Sequence, residues 1–475
     1  MPVFHAPARH ASNDSISQSL QRLGAALCKL SERGLSGENF ERYEREVHAL
    51  FVEAECEVVG AELESLDVDL PYVTIAGRRH NRVLRSSETY TSAVGPVTVT
   101  RTLYRAGKGK SVVPLELHAG VMEGHWTPLA ARQVSFLVAQ LTPQECEDTL
   151  RELGNMRPSK SSLDRLPKHL SARWEGEREA FEVALRENFS VPEEAVTMGV
   201  SLDGVMVPMK DGARQAKRAR ALAAGQPAKG PAGYQEASCA TLSLYDCDGE
   251  RLDTIRFARM PEAKKVTLKS MLSAEVNTAL AQRPDLTVVK IADGAKDNWT
   301  YLAKLIPEGE QRVDFYHAVE QLKAAFDAAY GEPSAKGRAQ FKKNRHVLLE
   351  DVDGVEKVIR ALVYLRSKHP RRKRIGEVLG YFRRNRQRMD YATAVLCDLP
   401  IGSGVVEAAC KTLATQRLKR SGMRWRHEGG QAILTLRGLV QSHRFEQAWS
   451  MLSATYRADV SVPENVAELR RKRAA

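Results

Sequence analysis

The chain lacks three features that mark secreted and membrane proteins. None of its apolar runs approaches the roughly 18–20 residues that a bilayer span needs, and its start, MPVFHAPARHASNDS, lacks the apolar stretch of a signal peptide. No two cysteines have CxxC spacing, so neither a zinc site nor a disulfide framework is indicated. The cysteines are Cys28, Cys56, Cys146, Cys239, Cys247, Cys397 and Cys410. We therefore expect reduced thiols, no membrane partner and a cytoplasmic location.

The chain also has too few acids to balance its bases. Its 71 Lys and Arg against 59 Asp and Glu give a net charge of +12 and an isoelectric point near 9.3. A charge of this sign favours polyanionic partners, because each neutralised phosphate releases condensed counterions. Taken alone, the net charge does not distinguish DNA from other polyanions.

The bases are concentrated in two stretches. The first holds Arg366, Lys368, Arg371, Arg372, Lys373, Arg374, Arg383, Arg384, Arg386 and Arg388, opposed only by Glu377. The second, RLKRSGMRWR, holds Arg417, Lys419, Arg420, Arg424 and Arg426 around Trp425. We predict that both stretches bind DNA and that Trp425 stacks on an unpaired base. The alternatives are a solvated basic face and a buried core tryptophan.

The N-terminal part of the chain predicts helices followed by a small sheet. Residues 1–68 are predicted to be helical, and the apolar stripe of the second helix is typical of a core helix rather than a coiled coil. Residues 69–115 are predicted to form a small antiparallel β region, since PVTVTRTLYR alternates apolar and polar positions and SAVGPV supplies a turn.

Residues 116–192 are predicted to be helical and contain a candidate helix-turn-helix. Thr142, Pro143 and Glu145 are typical of a helix start, and Ser159 begins another helix a few residues on. A generic helical hairpin has the same signals, so both alternatives stay open. If the unit reads DNA, the contact candidates are Lys160, Arg165 and Lys168.

The pattern changes again in residues 193–317, where strands alternate with helices. Three strands, a helix, a strand, a helix and a final strand predict a mixed sheet with crossover connections. A long basic segment between the first two strands is predicted to be a mobile arm that contacts DNA. Residues 318–400 are predicted to be an all-helical insertion, residues 401–425 to return to the core, and residues 426–475 to form a C-terminal helix and basic tail. The expected fold class is multidomain α+β.

Three acids lie at the ends of elements in and after the mixed sheet: Asp203, Asp293 and Glu407. Singly, Asp203 is explained by an Asp-Gly hairpin, Asp293 by a helix N-cap and Glu407 by a helix dipole. Together, carboxylates on neighbouring strands and on a helix beside them form a negative cluster that requires a counter-ion. Mg²⁺ takes oxygen ligands of this kind, and two ions about 3.5–4 Å apart serve phosphodiester displacement.

The motifs DFYHAVEQL and IGSGVVEAACKTLATQRLKRSGMRW, with this order of elements, resemble the DDE transposases of ISKra-type bacterial insertion sequences, relatives of the Mutator-like enzymes. The resemblance covers residues 70 to 450 and implies a ribonuclease H-like catalytic core interrupted by a helical insertion. It implies Asp203, Asp293 and Glu407 as the catalytic acids, holding two Mg²⁺ or Mn²⁺ ions. Asp314 and His317 match the acid, two residues, histidine motif of the Mutator-like enzymes. We predict a role for His317 near the scissile phosphate; a capped helix start with a satisfied histidine is the alternative.

The predicted function is a transposase that binds the terminal inverted repeats of its element, cuts double-stranded DNA with metal ions and joins the 3′ end to target DNA. It would act as a homodimer or higher oligomer and associate with the nucleoid when bound to DNA. The alternatives are a structure-selective metal-dependent nuclease and a non-catalytic DNA-binding protein derived from a transposase.

Overall fold

The computed structural model describes residues 13–33, 39–153, 156–210, 212–227, 233–305, 309–332 and 334–462. The predicted basic tail lies outside these residues. The backbone contacts divide the chain into two compact units. The first contains residues 1–177 and 445–475, and the second contains residues 178–444.

The first unit contains a five-stranded antiparallel sheet flanked by helices. Its elements begin with α1 (Asn13–Ser31), α2 (Phe40–Ser65), β1 (Tyr72–Ile75), β2 (Arg78–Ser92), β3 (Gly95–Arg105) and β4 (Ser111–Val112). The sheet order is β10-β1-β2-β3-β4, in which β10 (Val460–Ser461) comes from the end of the described chain. The inward-facing side chains Tyr90, Val97 and Val99 pack with Leu63 of α2. The predicted antiparallel region and its turn at SAVGPV are confirmed.

The same unit continues with α3 (Pro114–Ala119), α4 (Pro128–Gln140), α5 (Pro143–Leu153), α6 (Lys160–Gly176) and, near the end, α19 (Phe445–Ala454). The cap signals act as predicted. The Glu145 backbone N–H donates to Thr142 Oγ1 at 3.2 Å, and the Thr142 N–H donates to the Glu145 carboxylate at 2.8 Å. The Ser162 N–H donates to Ser159 Oγ at 3.3 Å. Two helices therefore begin where the sequence indicates.

The second unit is built on a mixed five-stranded sheet. Its elements are α7 (Arg178–Glu187), β5 (Thr197–Pro208), α8 (Gly212–Ala223), β6 (Tyr234–Tyr245), β7 (Arg251–Arg259), α9 (Val266–Gln282), β8 (Thr287–Ala292), α10 (Lys296–Leu305) and β9 (Glu310–Val313). The order is β7-β6-β5-β8-β9, with β5 antiparallel to β6 and parallel to β8. The α+β class and the mixed sheet are confirmed. The arm between β5 and β6 differs from the prediction in that it contains α8, because its Ala- and Arg-rich stretch favours helix.

Five helices follow β9: α11 (Phe315–Tyr330), α12 (Ala335–Glu350), α13 (Gly354–Lys368), α14 (Lys373–Asn385) and α15 (Tyr391–Leu396). No strand interrupts them in the described part of this stretch, as the sequence predicts. Their apolar faces, including Leu322, Leu362 and Phe382, belong to the same buried cluster as Val200 and Leu242 of the sheet. The helical segment and the sheet therefore share one core.

The unit closes with α16 (Gly404–Ala409), a π-helical turn over Cys410–Thr415, α17 (Gln416–Leu418) and α18 (His427–Gln441). α16 packs on β5 and β6. After α17 the chain returns to β5, where the Trp425 N–H donates to the Pro208 carbonyl at 2.9 Å and the Lys210 N–H donates to the Trp425 carbonyl at 2.7 Å. Among the described helices of both units, none combines the length and apolarity needed to cross a bilayer.

Candidate functional site

The site begins with two aspartates on neighbouring parallel strands. In the β5–β8 pair, Ser201 lies opposite Ile291, and Asp203 and Asp293 each follow two residues later. Because side chains two residues apart share a face of a sheet, and neighbouring strands lie about 4.8 Å apart, the two carboxylates come to the same level. Asp203 pairs with Cys239 in an unbroken β5–β6 register, so the Asp-Gly hairpin alternative is excluded.

The Asp203 carboxylate is only partly neutralised by its surroundings. Burial is the largest effect and raises the pKa of Asp203, while the hydrogen bond from the Gly204 N–H opposes it. The negative charge of Asp293 raises the pKa further, and His317 and Lys265 have smaller lowering effects. The Gly204 N–H donates to Oδ1 at 2.7 Å, and the thiol of Cys410 lies 3.8 Å from Oδ2. The pair of aspartates therefore holds negative charge that a cation would stabilise.

Asp293 follows β8 and stands before α10. Its Oδ1 accepts hydrogen bonds from the Ala295 N–H and the Asn298 amide, each at 3.1 Å, and its carbonyl accepts one from the Trp299 indole at 2.8 Å. α10 begins at Lys296 and its first intrahelical bond is accepted by the Ala295 carbonyl, so Asp293 lies two residues before the N-cap position and the N-cap alternative is not supported. The bonds fix one carboxylate oxygen and the backbone of Asp293, which is compatible with a place in the site.

Glu407 lies in α16, the short helix that packs on β5. The Ser403 hydroxyl donates to its Oε1 at 3.0 Å, and the side chain is 45% exposed. Cys410, one turn later, contacts Asp203, so Glu407 and Asp203 approach the same region from the helix and from the strand. The π-helical turn begins at Cys410, and such turns occur often at functional sites.

Asp314 is fully buried and caps α11. Its Oδ1 accepts from the His317 N–H at 2.6 Å and lies 3.2 Å from His317 Nδ1, and its Oδ2 accepts from the Ser403 N–H. Burial alone would raise the pKa of Asp314, but these hydrogen bonds outweigh burial and lower it. The capped helix start is therefore what the structure contains, and it also ties α11 to the start of α16.

His317 stands between two carboxylates. Its Nδ1 lies 3.2 Å from Asp314 Oδ1 and 3.8 Å from Glu407 Oε1. The hydrogen bond with Asp314 raises the pKa of His317 to about 9, against burial and with help from the charge of Glu407. The imidazole is thus a cation at neutral pH, with its ring partly exposed.

Asp314, His317 and Glu407 also have the spacing of metal ligands, because one ligand atom from each lies within 4.8 Å of the other two. Across the described part of the chain no other three His, Cys, Asp or Glu residues meet this spacing. Asp203, Asp293 and Glu407 therefore do not meet it as a set. A site for two ions does not demand it, since each acid then contacts its own ion or bridges the two.

A cleft of about 780 Å³ opens beside the paired aspartates. Its walls carry acids and lysines, among them Asp203, Asp293, Glu236, Lys264, Lys265, Lys269 and Lys304. Sequence reasoning missed these lysines, although the stretch PEAKKVTLK at the start of α9 carries three of them. Lys264 and Lys265 both have positive φ, 56° and 57°, a strained backbone that is common at functional sites.

Nine of the ten bases of the first predicted DNA-binding stretch are exposed, and the tenth, Arg388, is half-buried. The exposed bases are Arg366, Lys368, Arg371, Arg372, Lys373, Arg374, Arg383, Arg384 and Arg386. Arg374 is engaged with Glu377 at 3.1 Å and with Gln321 at 2.8 Å. The other predicted candidates in exposed positions are Lys419, Arg424, Arg426, Lys160 and Arg165, and the last two lie on α6 of the first unit.

Arg417 is a correction to the predicted DNA contacts. It is 1% exposed and lies against the Trp425 ring at 5.3 Å. The short helix that carries it, α17, packs on the π-helical turn, which packs on β5. Trp425 itself is half-buried, and its indole donates to the Leu418 carbonyl at 2.9 Å. This bond agrees with the alternative of a packed tryptophan. Arg420 is half-buried and donates to the Gln416 carbonyl at 3.1 Å.

No protein-family model matches the chain, and no curated protein matches it. The resemblance to DDE transposases therefore stays a prediction that rests on the motifs.

Proposed function

We propose that the protein is a metal-dependent DDE transposase whose catalytic acids are Asp203, Asp293 and Glu407. The observation that carries the proposal is the parallel register of β5 and β8, which brings Asp203 level with Asp293. Two aspartates at one level of neighbouring strands, with a helical glutamate close by, suit chemistry that depends on divalent cations and phosphate.

The order and direction of the strands support a ribonuclease H-like core. Three consecutive antiparallel strands, β5 to β7, are extended on the other side of β5 by two parallel strands, β8 and β9. The helices from α11 to α15 then separate this sheet from α16, which carries Glu407. A core interrupted by a helical insertion before its last acid is what the resemblance to ISKra-type transposases implies.

The donor set fits Mg²⁺ or Mn²⁺. Asp203 and Asp293 offer carboxylate oxygens. The pKa of Asp203 is raised chiefly by burial and further by the charge of Asp293, and a cation would stabilise the ionised carboxylates against both effects. Asp203 and Asp293 would hold one ion and Glu407 would complete a second. Such ions activate the attacking oxygen and stabilise the leaving oxygen of a phosphodiester.

His317 has a place in this scheme as a fixed cation. Asp314 holds the imidazolium through Nδ1, while the partly exposed ring remains within reach of a phosphate. We assign it to contact with the scissile strand rather than to metal ligation, because a ring with a pKa of about 9 would have to lose its proton before it could bind a metal.

We propose that the exposed bases within α14 and directly before it bind the backbone of double-stranded DNA. Lys419 and Arg424 are proposed to contribute further contacts with this backbone. The helix pair α5 and α6 is proposed to act as a helix-turn-helix that presents Lys160 and Arg165. The substrates are the terminal inverted repeats of the element and the target DNA. Joining two ends calls for a homodimer or a larger assembly.

The experiment is a strand-transfer assay with the DNA that flanks the gene. A labelled duplex ending in the flanking repeat is incubated with the protein, a target plasmid and Mg²⁺, and joined products are counted by sequencing. We expect joined product from the wild type and none from Glu407→Gln, with unchanged binding of the repeat. Cleavage without joining would identify the nuclease alternative, and binding without cleavage the non-catalytic alternative.

A further inference from the structure

Tyr381 of α14 carries a buried hydroxyl without an acceptor. The hydroxyl oxygen is shielded from solvent, and it has no hydrogen-bond partner among the residues that the structure describes. A buried polar group in this state destabilises the folded chain, so native proteins satisfy nearly all of them. Such a group needs an explanation, and a ligand that supplies the acceptor is one.

The hydroxyl lies at the site. The Tyr381 ring packs on Gly294, directly after Asp293, so closely that a β-carbon built on Gly294 would overlap the ring. Burial raises the pKa of Tyr381, and the charges of Asp293 and Asp314 raise it further. The side chain therefore remains protonated at neutral pH and keeps a proton to donate.

A nearby tyrosine shows the usual state of such a group. Tyr391 of α15 is also buried, and its hydroxyl donates to the Val313 carbonyl at 3.0 Å, at the end of β9. Two tyrosines of the helical segment thus approach the ends of the central strands. The Tyr391 hydroxyl is bonded within the protein. The Tyr381 hydroxyl, on a ring that packs against Gly294, has no partner among the described residues.

We propose that Tyr381 donates a hydrogen bond to an oxygen held at Asp293 by a divalent cation, either a water of the cation or an oxygen of a bound phosphate. The proposal rests on the proposed function, because it needs a cation at the paired aspartates. It assigns the helical segment a direct part in the site: α14 carries Tyr381 on its inner face and the exposed Arg383 and Arg384 two and three residues further on.

The test compares Tyr381→Phe with two matched variants in the full-length chain. Tyr381→Phe removes the hydroxyl alone. We expect its melting temperature to stay level or to rise by about 2 °C, and its affinity for Mn²⁺, measured by calorimetry without DNA, to fall about tenfold. Tyr391→Phe breaks an existing hydrogen bond and should melt at a lower temperature. Tyr364→Phe, at an exposed position of α13, should change neither quantity.

A second set of measurements distinguishes the two candidate acceptors, a cation-bound water and a phosphate oxygen. Affinity for the duplex is measured in Ca²⁺, which supports binding without cleavage. Loss of Mn²⁺ affinity assigns the acceptor to a cation-bound water; loss of duplex affinity alone assigns it to a phosphate, and both results support the proposal. Equal Mn²⁺ and duplex affinities for Tyr381→Phe and wild type would overturn it, as would a fall in melting temperature as large as that of Tyr391→Phe.

Gly294→Ala provides an independent variant. It keeps the Tyr381 hydroxyl in the chain but displaces the ring and the hydroxyl with it. It should therefore lower Mn²⁺ affinity as Tyr381→Phe does, and the double variant should bind Mn²⁺ no more weakly than the weaker single variant. Additive losses would contradict the proposal. If the wild type binds Mn²⁺ but joins no DNA, the proposed function fails while the role of Tyr381 can still be measured.

Discussion

Two groups of acids lie at the end of the mixed sheet, and they are stabilised in opposite ways. Asp314 is satisfied by the protein itself: two backbone N–H groups and His317 bind it, and its pKa is lowered. Asp203 receives one backbone N–H, and its pKa is raised by burial and further by the charge of Asp293. The first group is complete without a ligand, whereas the second group is not.

This difference indicates where a cation would bind. Asp314, His317 and Glu407 have the spacing of metal ligands, but a cation there would compete with the proton of His317 and with two backbone donors. At Asp203 and Asp293 a cation would relieve repulsion. Glu407 is available to either group, since it contacts His317 at 3.8 Å and remains 45% exposed.

The largest expected effect comes from Asp203→Asn. The amide retains the bond from Gly204 but removes the charge, so Mg²⁺-dependent cleavage should fall by about 10³-fold or more. The free energy of unfolding should not fall, because a carboxylate with a raised pKa opposes folding at neutral pH. Cleavage assays and urea denaturation measure the two quantities. Cleavage at the wild-type rate would remove Asp203 from the site.

Unlike Asp203→Asn, Asp314→Asn should lower the stability of the folded chain. It breaks the charge-assisted bonds to His317 and to the backbone of Ser403, and we expect the free energy of unfolding to fall by about 3 kcal/mol. Asp390→Asn is the matched control, since Asp390 caps α15 through the Thr393 N–H in an exposed position. Its effect should be small because Asn caps as well as Asp. Equal losses in both variants would show that the charge of Asp314 is unimportant.

The exposed arginines should affect DNA binding and not stability. In Arg383→Ala/Arg384→Ala, the slope of log affinity against log salt should decrease by about 1.8, because each lost phosphate contact removes about 0.9. Arg417→Met, at a buried position, should leave this slope unchanged and lower the melting temperature. A salt slope unaffected by the double variant would exclude α14 as a DNA-binding surface.

The smallest expected effect comes from His317 and concerns how the melting temperature depends on pH. The pKa of His317 is raised to about 9 from 6.5, so the stability it contributes is fully present below pH 6.5 and is lost as pH rises through 9. Melting temperatures of wild type and His317→Gln, compared between pH 6 and 9.5, should therefore converge as pH increases. A constant difference across this range would show that the charge of His317 does not contribute.

Much of the second unit is predictable from the sequence because its strands are continuous apolar runs with clear breaks. The order of strands and helices from β5 to β9 is the predicted one, apart from α8 within the connecting arm. Two boundaries differ: α9 begins at Val266 rather than at Pro261, and β9 ends at Val313, so residues 315–317 begin α11 instead of ending the strand.

The pairing of Asp203 with Asp293 requires the register of β5 and β8, which no local pattern contains. The burial of Arg417 could not be predicted from the local sequence either. A stretch rich in Lys and Arg is expected to be exposed, and only the packing of the helix shows that Arg417 is not.

The role of Tyr381 could not be predicted for the same reason. It lies in a helix 88 residues after Asp293, and its significance comes from a close approach to Gly294 and from a missing acceptor. Both are properties of the packed chain. Asp314 and His317, by contrast, are neighbours in sequence, so their hydrogen bond was accessible as the capped-helix alternative.

The most direct test is anomalous scattering from crystals grown with Mn²⁺. The account predicts a peak in contact with the carboxylates of Asp203 and Asp293, and a second that Glu407 contacts, with Asp314 still bound to His317 and Ser403. A peak held by Asp314 and His317 alone, with none at Asp203, would contradict it.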